Sequence, residues 1–127
     1  MDSEVDELVE RALAEDVGAG DVTTVATVGE QVAARALITQ KAPGAIYGVA
    51  VAEAVFSRLD GDARFERMAE EGQWREQGGP VLALQGRARA LLTGERTALN
   101  FLAHLSGVAT MAALAASAVR ETDARVL

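Results

Sequence analysis

The stretch Ala88-Arg89-Ala90-Leu91-Leu92-Thr93-Gly94-Glu95-Arg96-Thr97-Ala98-Leu99-Asn100-Phe101-Leu102, continued by His104-Leu105-Ser106-Gly107-Val108-Ala109-Thr110, decides how the rest of the chain is read. At 100° per residue, Leu91, Leu92, Ala98, Leu99, Phe101, Leu102 and Leu105 fill one broad apolar arc, which predicts a helix over 88–105. Arg89, Thr93, Arg96, Thr97, Asn100 and His104 occupy the opposite arc. Ser106-Gly107 predicts a break, and the alanine-rich segment after it predicts a final helix over 108–121. Ala124-Arg125-Val126-Leu127 reads as the opening of a strand, either the start of a further domain or an edge strand pairing with 81–84.

Upstream of that stretch the pattern is of short strands and turns. Arg64-Phe65-Glu66-Arg67-Met68 alternates as a strand does, and Val81–Leu84 is short and apolar. Glu71-Gly72 and Gln77-Gly78-Gly79-Pro80 punctuate the interval. The segment from Glu71 to Gly78 resembles the turn of lipoyl and biotinyl carrier domains. Lys41, the sole lysine, precedes it, so the likeness implies a shared half-barrel geometry and no carrier function. Val51, Ala52, Val55, Phe56 and Leu59 predict a helix over 49–59, stopped by Asp60-Gly61-Asp62. Val32–Gln40 predicts a strand, Pro43-Gly44 a turn and Ala45–Gly48 a short returning strand. Val5, Leu8, Val9, Ala12 and Leu13 predict a helix over 3–17 with Ser3 as its cap, ended by Gly18 and Gly20 and followed by a loop from Asp21 to Glu30. Helices at both ends of a small sheet make the fold class α+β.

Composition narrows the function. The chain has 127 residues, fewer than the roughly 200 a complete (β/α)₈ barrel needs. It has no cysteine and one histidine, which excludes a disulfide framework, a thiolate nucleophile and His-rich metal sites. A net charge of −7 and 4% aromatic residues argue against nucleic-acid binding. No uninterrupted apolar run approaches the roughly 20 residues of a membrane span, and the acidic N-terminus is unlike a secretory signal, so a cytoplasmic protein is expected.

Few side chains suggest chemistry. Arg96 stands at the edge of the apolar arc beside Leu92 and Leu99, where its fork suits a planar carboxylate; the plainer alternative is a solvated arginine. Glu95 falls inside the apolar arc, which calls for an arginine partner or a helix buried on several sides. His104 reads as a surface residue, and Asp16 and Asp21 as turn-formers more than metal ligands. Gly18-Ala19-Gly20 lacks the flanking strand and helix of a phosphate-binding loop.

Three stretches together are distinctive: Ala14 through Thr24, Glu71-Gly72 through Gly86, and Ala88 through Thr110. In this order they resemble the N-terminal half of quinolinate phosphoribosyltransferases, the carboxylating nicotinate-nucleotide pyrophosphorylases. Glu-Arg-Thr-Ala-Leu-Asn-Phe-Leu with Leu-Ser-Gly-Val-Ala-Thr is the specific part. The resemblance implies an N-terminal α/β sandwich over 1–107, with 108–127 as the helix and first strand of an α/β barrel whose remainder is absent. It implies phosphoribosyl transfer from phosphoribosyl pyrophosphate to quinolinate, followed by decarboxylation, with Mg²⁺ required. It also implies that Arg96 binds quinolinate in the active site of a neighbouring subunit of a homodimer or higher oligomer. The family's Asp-Thr-Arg-Lys run, metal ligands and remaining phosphate-binding residues are expected beyond Val126-Leu127. Within 1–127 no catalytic, cofactor-binding or metal-ligating residue is assigned, and this chain alone is expected to be inactive. A related pyrophosphorylase of the molybdenum-transport type, a nicotinate phosphoribosyltransferase, or a stand-alone oligomerisation module are the alternatives.

Overall fold

Alternating burial along the central strand organises the molecule. The structure, a computed structural model, describes residues 3–27, 29 and 31–119, with side chains left undescribed over 17–28. Its elements are α1 (Ser3–Thr27), β1 (Ala33–Gln40), β2 (Gly44–Ala45), α2 (Val49–Leu59), β3 (Arg64–Arg67), β4 (Trp74–Arg75), β5 (Gly79–Arg87) and α3 (Ala88–Val119). β5 lies between β1 and β3, antiparallel to both, and β2 pairs with β4 in a separate two-stranded ribbon. The α+β class expected from the sequence is the one observed.

The β1–β5 register slips between Ile38 and Thr39, whose partners are Leu82 and Pro80. Val81 is the extra residue of the bulge, and both it and Leu82 are buried. One sheet face, with Ile38, Phe65, Leu82 and Leu84, packs against Val49, Ala52, Val55 and Phe56 of α2 and Leu91, Ala98 and Leu102 of α3. Val9 and Leu13 of α1 complete this core. The other face is open: Arg35 and Arg64 flank Gln85 in register, and all three are exposed.

Four sequence expectations are corrected. α1 does not stop at Gly18 but runs to Thr27, through the segment expected to be a loop. Glycine costs a helix roughly 1 kcal/mol relative to alanine but keeps its N–H, so only packing decides whether the ladder continues. The returning strand expected at 45–48 is shorter and does not return to β1; β2 pairs with β4. Ser106-Gly107 does not break the last helix, because α3 is continuous over 32 residues. As one helix, α3 is long and apolar enough to cross a membrane by length and composition alone, although its first half lies in the core described above. Finally, 81–84 has no free edge, since β1 and β3 occupy both sides. The strand expected at 124–127 lies outside the described residues.

Candidate functional site

The surroundings of Arg96 follow from which α3 residues are buried. Gly94, Thr97, Ala98 and Leu102 face inward, while Leu92, Glu95, Arg96, Leu99 and Asn100 are exposed. The apolar arc of the sequence is therefore wider than the buried stripe. Leu92 and Leu99 are 51% and 39% exposed, and Thr97, placed on the polar arc by angle, is 1% exposed. Glu95 accordingly needs neither of the explanations expected for it: the strip on which it sits is solvated, and it has no ion pair among the described residues. His104 is on the surface, as expected.

Arg96 makes no hydrogen bond or ion pair among the described residues. A guanidinium presents five donors in a planar fork and cannot lose its charge near neutral pH. Left unpaired on a helix surface, it is competent to take a carboxylate bidentately. Arg89, half-buried, lies seven residues earlier on nearly the same stripe, about 10 Å along the axis.

Asp16 is not a turn-former. It is half-buried inside α1, and its Oδ2 accepts the Thr97 hydroxyl at 2.5 Å. The side chain of Asp21 lies outside the described residues. No group of three or more His, Asp or Glu side chains among the described residues is placed to hold a metal ion.

Three anchors that hold α2 and α3 escaped the sequence reading. Asp60, 2% exposed, accepts the backbone N–H of Arg87 (2.8 Å) and of Asp62 (3.0 Å) and pairs with the Arg87 guanidinium at 3.4 Å. The Arg87 and Asp62 amides hold its carboxyl below the usual carboxylate range, against the opposing effect of burial. Glu71 Oε1 accepts the Gly48 and Val49 N–H groups at 3.0 and 2.8 Å and so caps α2, a role its neighbour Gly72 hid behind a turn signal.

The third anchor is a pair of hydroxyls. Ser106 Oγ accepts the Tyr47 N–H (3.0 Å) and donates to the Tyr47 carbonyl (3.1 Å). Thr110 Oγ1 accepts the Ala45 N–H (2.9 Å) and donates to the Ala45 carbonyl (3.4 Å). Side chains four apart on a helix thus meet backbone groups two apart on an extended segment, as a neighbouring strand would. Gly48, at φ 105°, lets the chain approach closely: a Cβ there would lie 2.8 Å from Leu105 Cδ1. Serine and threonine at i and i+4 were the readable signal.

Residues 21–106 match the family model for the quinolinate phosphoribosyl transferase N-terminal domain. A nicotinate-nucleotide pyrophosphorylase [carboxylating] of Mycobacterium leprae is 39% identical over 121 residues, covering 93% of this chain and 43% of the relative. A chloroplastic enzyme of the same name from Arabidopsis thaliana is 35% identical over 112 residues, 87% of this chain and 32% of its own length. The crystal structure of NadC from Streptococcus pyogenes superposes with a TM-score of 0.85 at 35% identity, covering 94% of this chain and 42% of that one. A nicotinate-nucleotide pyrophosphorylase from Francisella tularensis gives a TM-score of 0.83 at 29% identity, covering 92% and 41%. This chain therefore spans well under half the length of these relatives.

Proposed function

The chain belongs to the quinolinate phosphoribosyltransferase family, whose N-terminal domain it carries, and from that premise we propose that it is the N-terminal part of an enzyme converting quinolinate and phosphoribosyl pyrophosphate to nicotinate mononucleotide, pyrophosphate and carbon dioxide. The observation that carries the reading is Arg96: an exposed guanidinium, without a hydrogen bond or ion pair among the described residues, on a helix fixed by the core. Quinolinate carries two adjacent carboxylates, and a bidentate arginine contact matches one of them in geometry and charge. The guanidinium holds and orients the substrate through its charge and its planar set of donors.

In this reading the chain assembles with copies of itself, and Arg96 serves the neighbouring subunit's site. The exposed strip of Val108, Met111 and Leu114 supports such an assembly, since it is more apolar than a solvated helix face needs to be. Mg²⁺ belongs to the proposed reaction, but the described residues do not suit it. Asp16 already binds Thr97, and no group of three or more Asp, Glu or His side chains among the described residues is placed to hold a metal ion. No step is assigned to the metal here. The proposal places the phosphate-binding and catalytic groups outside 1–127 and the enzyme in the cytoplasm.

The test is quinolinate-dependent formation of nicotinate mononucleotide by the full-length enzyme. Arg96→Lys, which keeps the charge and loses the fork, is expected to weaken quinolinate binding about tenfold or more. The 127-residue chain alone is expected to release no pyrophosphate. Turnover by that chain, or an Arg96→Lys enzyme with wild-type quinolinate affinity, would overturn the reading.

A further inference from the structure

Two neighbours fix the turn of α3 that carries Arg96. On one side Gly94 is buried against α2: a Cβ there would lie 2.9 Å from Leu59 Cδ1 and 3.1 and 3.2 Å from ring carbons of Phe56. On the other, Thr97 donates its hydroxyl to Asp16 Oδ2 at 2.5 Å, at the short end for an O–H···O hydrogen bond. Leu13 and Val9, one and two turns before Asp16 on α1, are buried in the same core. Glu95 and Arg96 project between these two contacts into solvent.

Neither partner of that bond is what helix stability alone selects. A buried threonine hydroxyl costs free energy unless it is bonded, and alanine would fill a helix–helix contact without that cost. Aspartate in a helix interior is a poor former, because its carboxylate competes for nearby backbone groups. The bond joins residues 81 apart in the sequence and acts at the position next to Arg96.

We infer that Asp16 and Thr97 are positioning residues for Arg96, their hydrogen bond setting the place from which its guanidinium reaches a carboxylate ligand. The inference rests on the reading of Arg96 above. Misplacing a binding group by about 1 Å can cost up to about 100-fold, and loss of one clamp beside a second, intact one calls for less, about tenfold.

The experiment measures quinolinate affinity by calorimetry, together with kcat and the KM for phosphoribosyl pyrophosphate, in the full-length enzyme. Thr97→Val is expected to raise the Kd for quinolinate about tenfold and to leave the KM for phosphoribosyl pyrophosphate within about twofold. Thr97→Ser, which keeps the donor, restores wild-type affinity. In an Arg96→Lys background the Thr97→Val penalty shrinks to less than about twofold, because the group being positioned is gone. Asp16→Asn, which keeps an acceptor and loses the charge, shows a smaller change of the same kind and decides the matter if Thr97→Val does not fold. Unchanged quinolinate affinity in Thr97→Val or, where that variant does not fold, in Asp16→Asn would overturn the inference. So would a penalty repeated in full in the Arg96→Lys background, which would mark the bond as merely structural. If Arg96→Lys itself binds quinolinate normally, the functional reading has failed and the inference falls with it.

Discussion

From Ala88 to Leu102, α3 sends Leu91, Ala98 and Leu102 into the core; from Ala103 to Val119 it buries none of its side chains, and Val108, Met111 and Leu114 stand more than half exposed. The first half is held by apolar area, worth about 1.5–3 kcal/mol for each fully buried large side chain. The second half is held through Ser106 and Thr110, hydroxyls bonded to the backbone at Tyr47 and Ala45, and such bonds contribute about 0.5–1.5 kcal/mol net. One continuous helix thus has a firm half, which carries Arg96, and a lightly tethered half, which carries the apolar strip.

The sharpest way to break this contrast is to truncate one apolar side chain in each half. Leu102→Ala is expected to cost about 2–5 kcal/mol in urea unfolding of this chain. Met111→Ala, at a site 73% exposed, is expected to stay within about 0.5 kcal/mol. Equal losses at the two sites would show that the second half is buried in solution. A smaller effect is expected from Thr110→Val, which leaves the buried Ala45 N–H without its acceptor and should cost about 1–3 kcal/mol. Thr110→Ser should recover most of it, and hydrogen exchange of the Ala45 amide should accelerate only in the valine variant.

The smallest expected effect separates the tethers by pH. Asp60 has a folded pKa below its unfolded value, so its contribution is present above the unfolded value, about 3.9, and is lost as pH falls through the folded one. Acidification below about pH 4 should therefore loosen the start of α3, where Asp60 holds the Arg87 amide, before it touches the hydroxyl tether. Asp60→Asn should flatten that acid limb of stability. An unaltered limb would show that other carboxylates set it.

The elements legible in the sequence were those whose period is set locally. The helix over 49–59 matches α2, and the strand over 32–40 matches β1 to within a residue. The errors fell where glycine was read as punctuation: α1 passes through Gly18 and Gly20, and α3 passes through Gly107. A glycine weakens a helix without forbidding it, and contacts with distant segments decide the outcome. The candidate site divides in the same way. Arg96 was readable from its motif, and the structure leaves it exposed. Its neighbour Thr97 looked like one more polar-arc residue, because the partner that buries it is Asp16, on another helix. Asp60 and Glu71 looked like turn residues because the backbone groups they satisfy come from segments folded back beside them.

The bonding of Thr110 to Ala45 of β2, beside that of Ser106 to Tyr47, also bears on where this domain can be cut. The family match ends at residue 106, which invites excision at that point. A chain ending there would keep the serine and lose Thr110, leaving both backbone groups of Ala45 unanswered along an exposed margin of the β2–β4 ribbon. Open strand margins recruit other chains. A soluble excised domain therefore needs to extend past Thr110, and the few residues beyond the conventional boundary act as the domain's protection against aggregation.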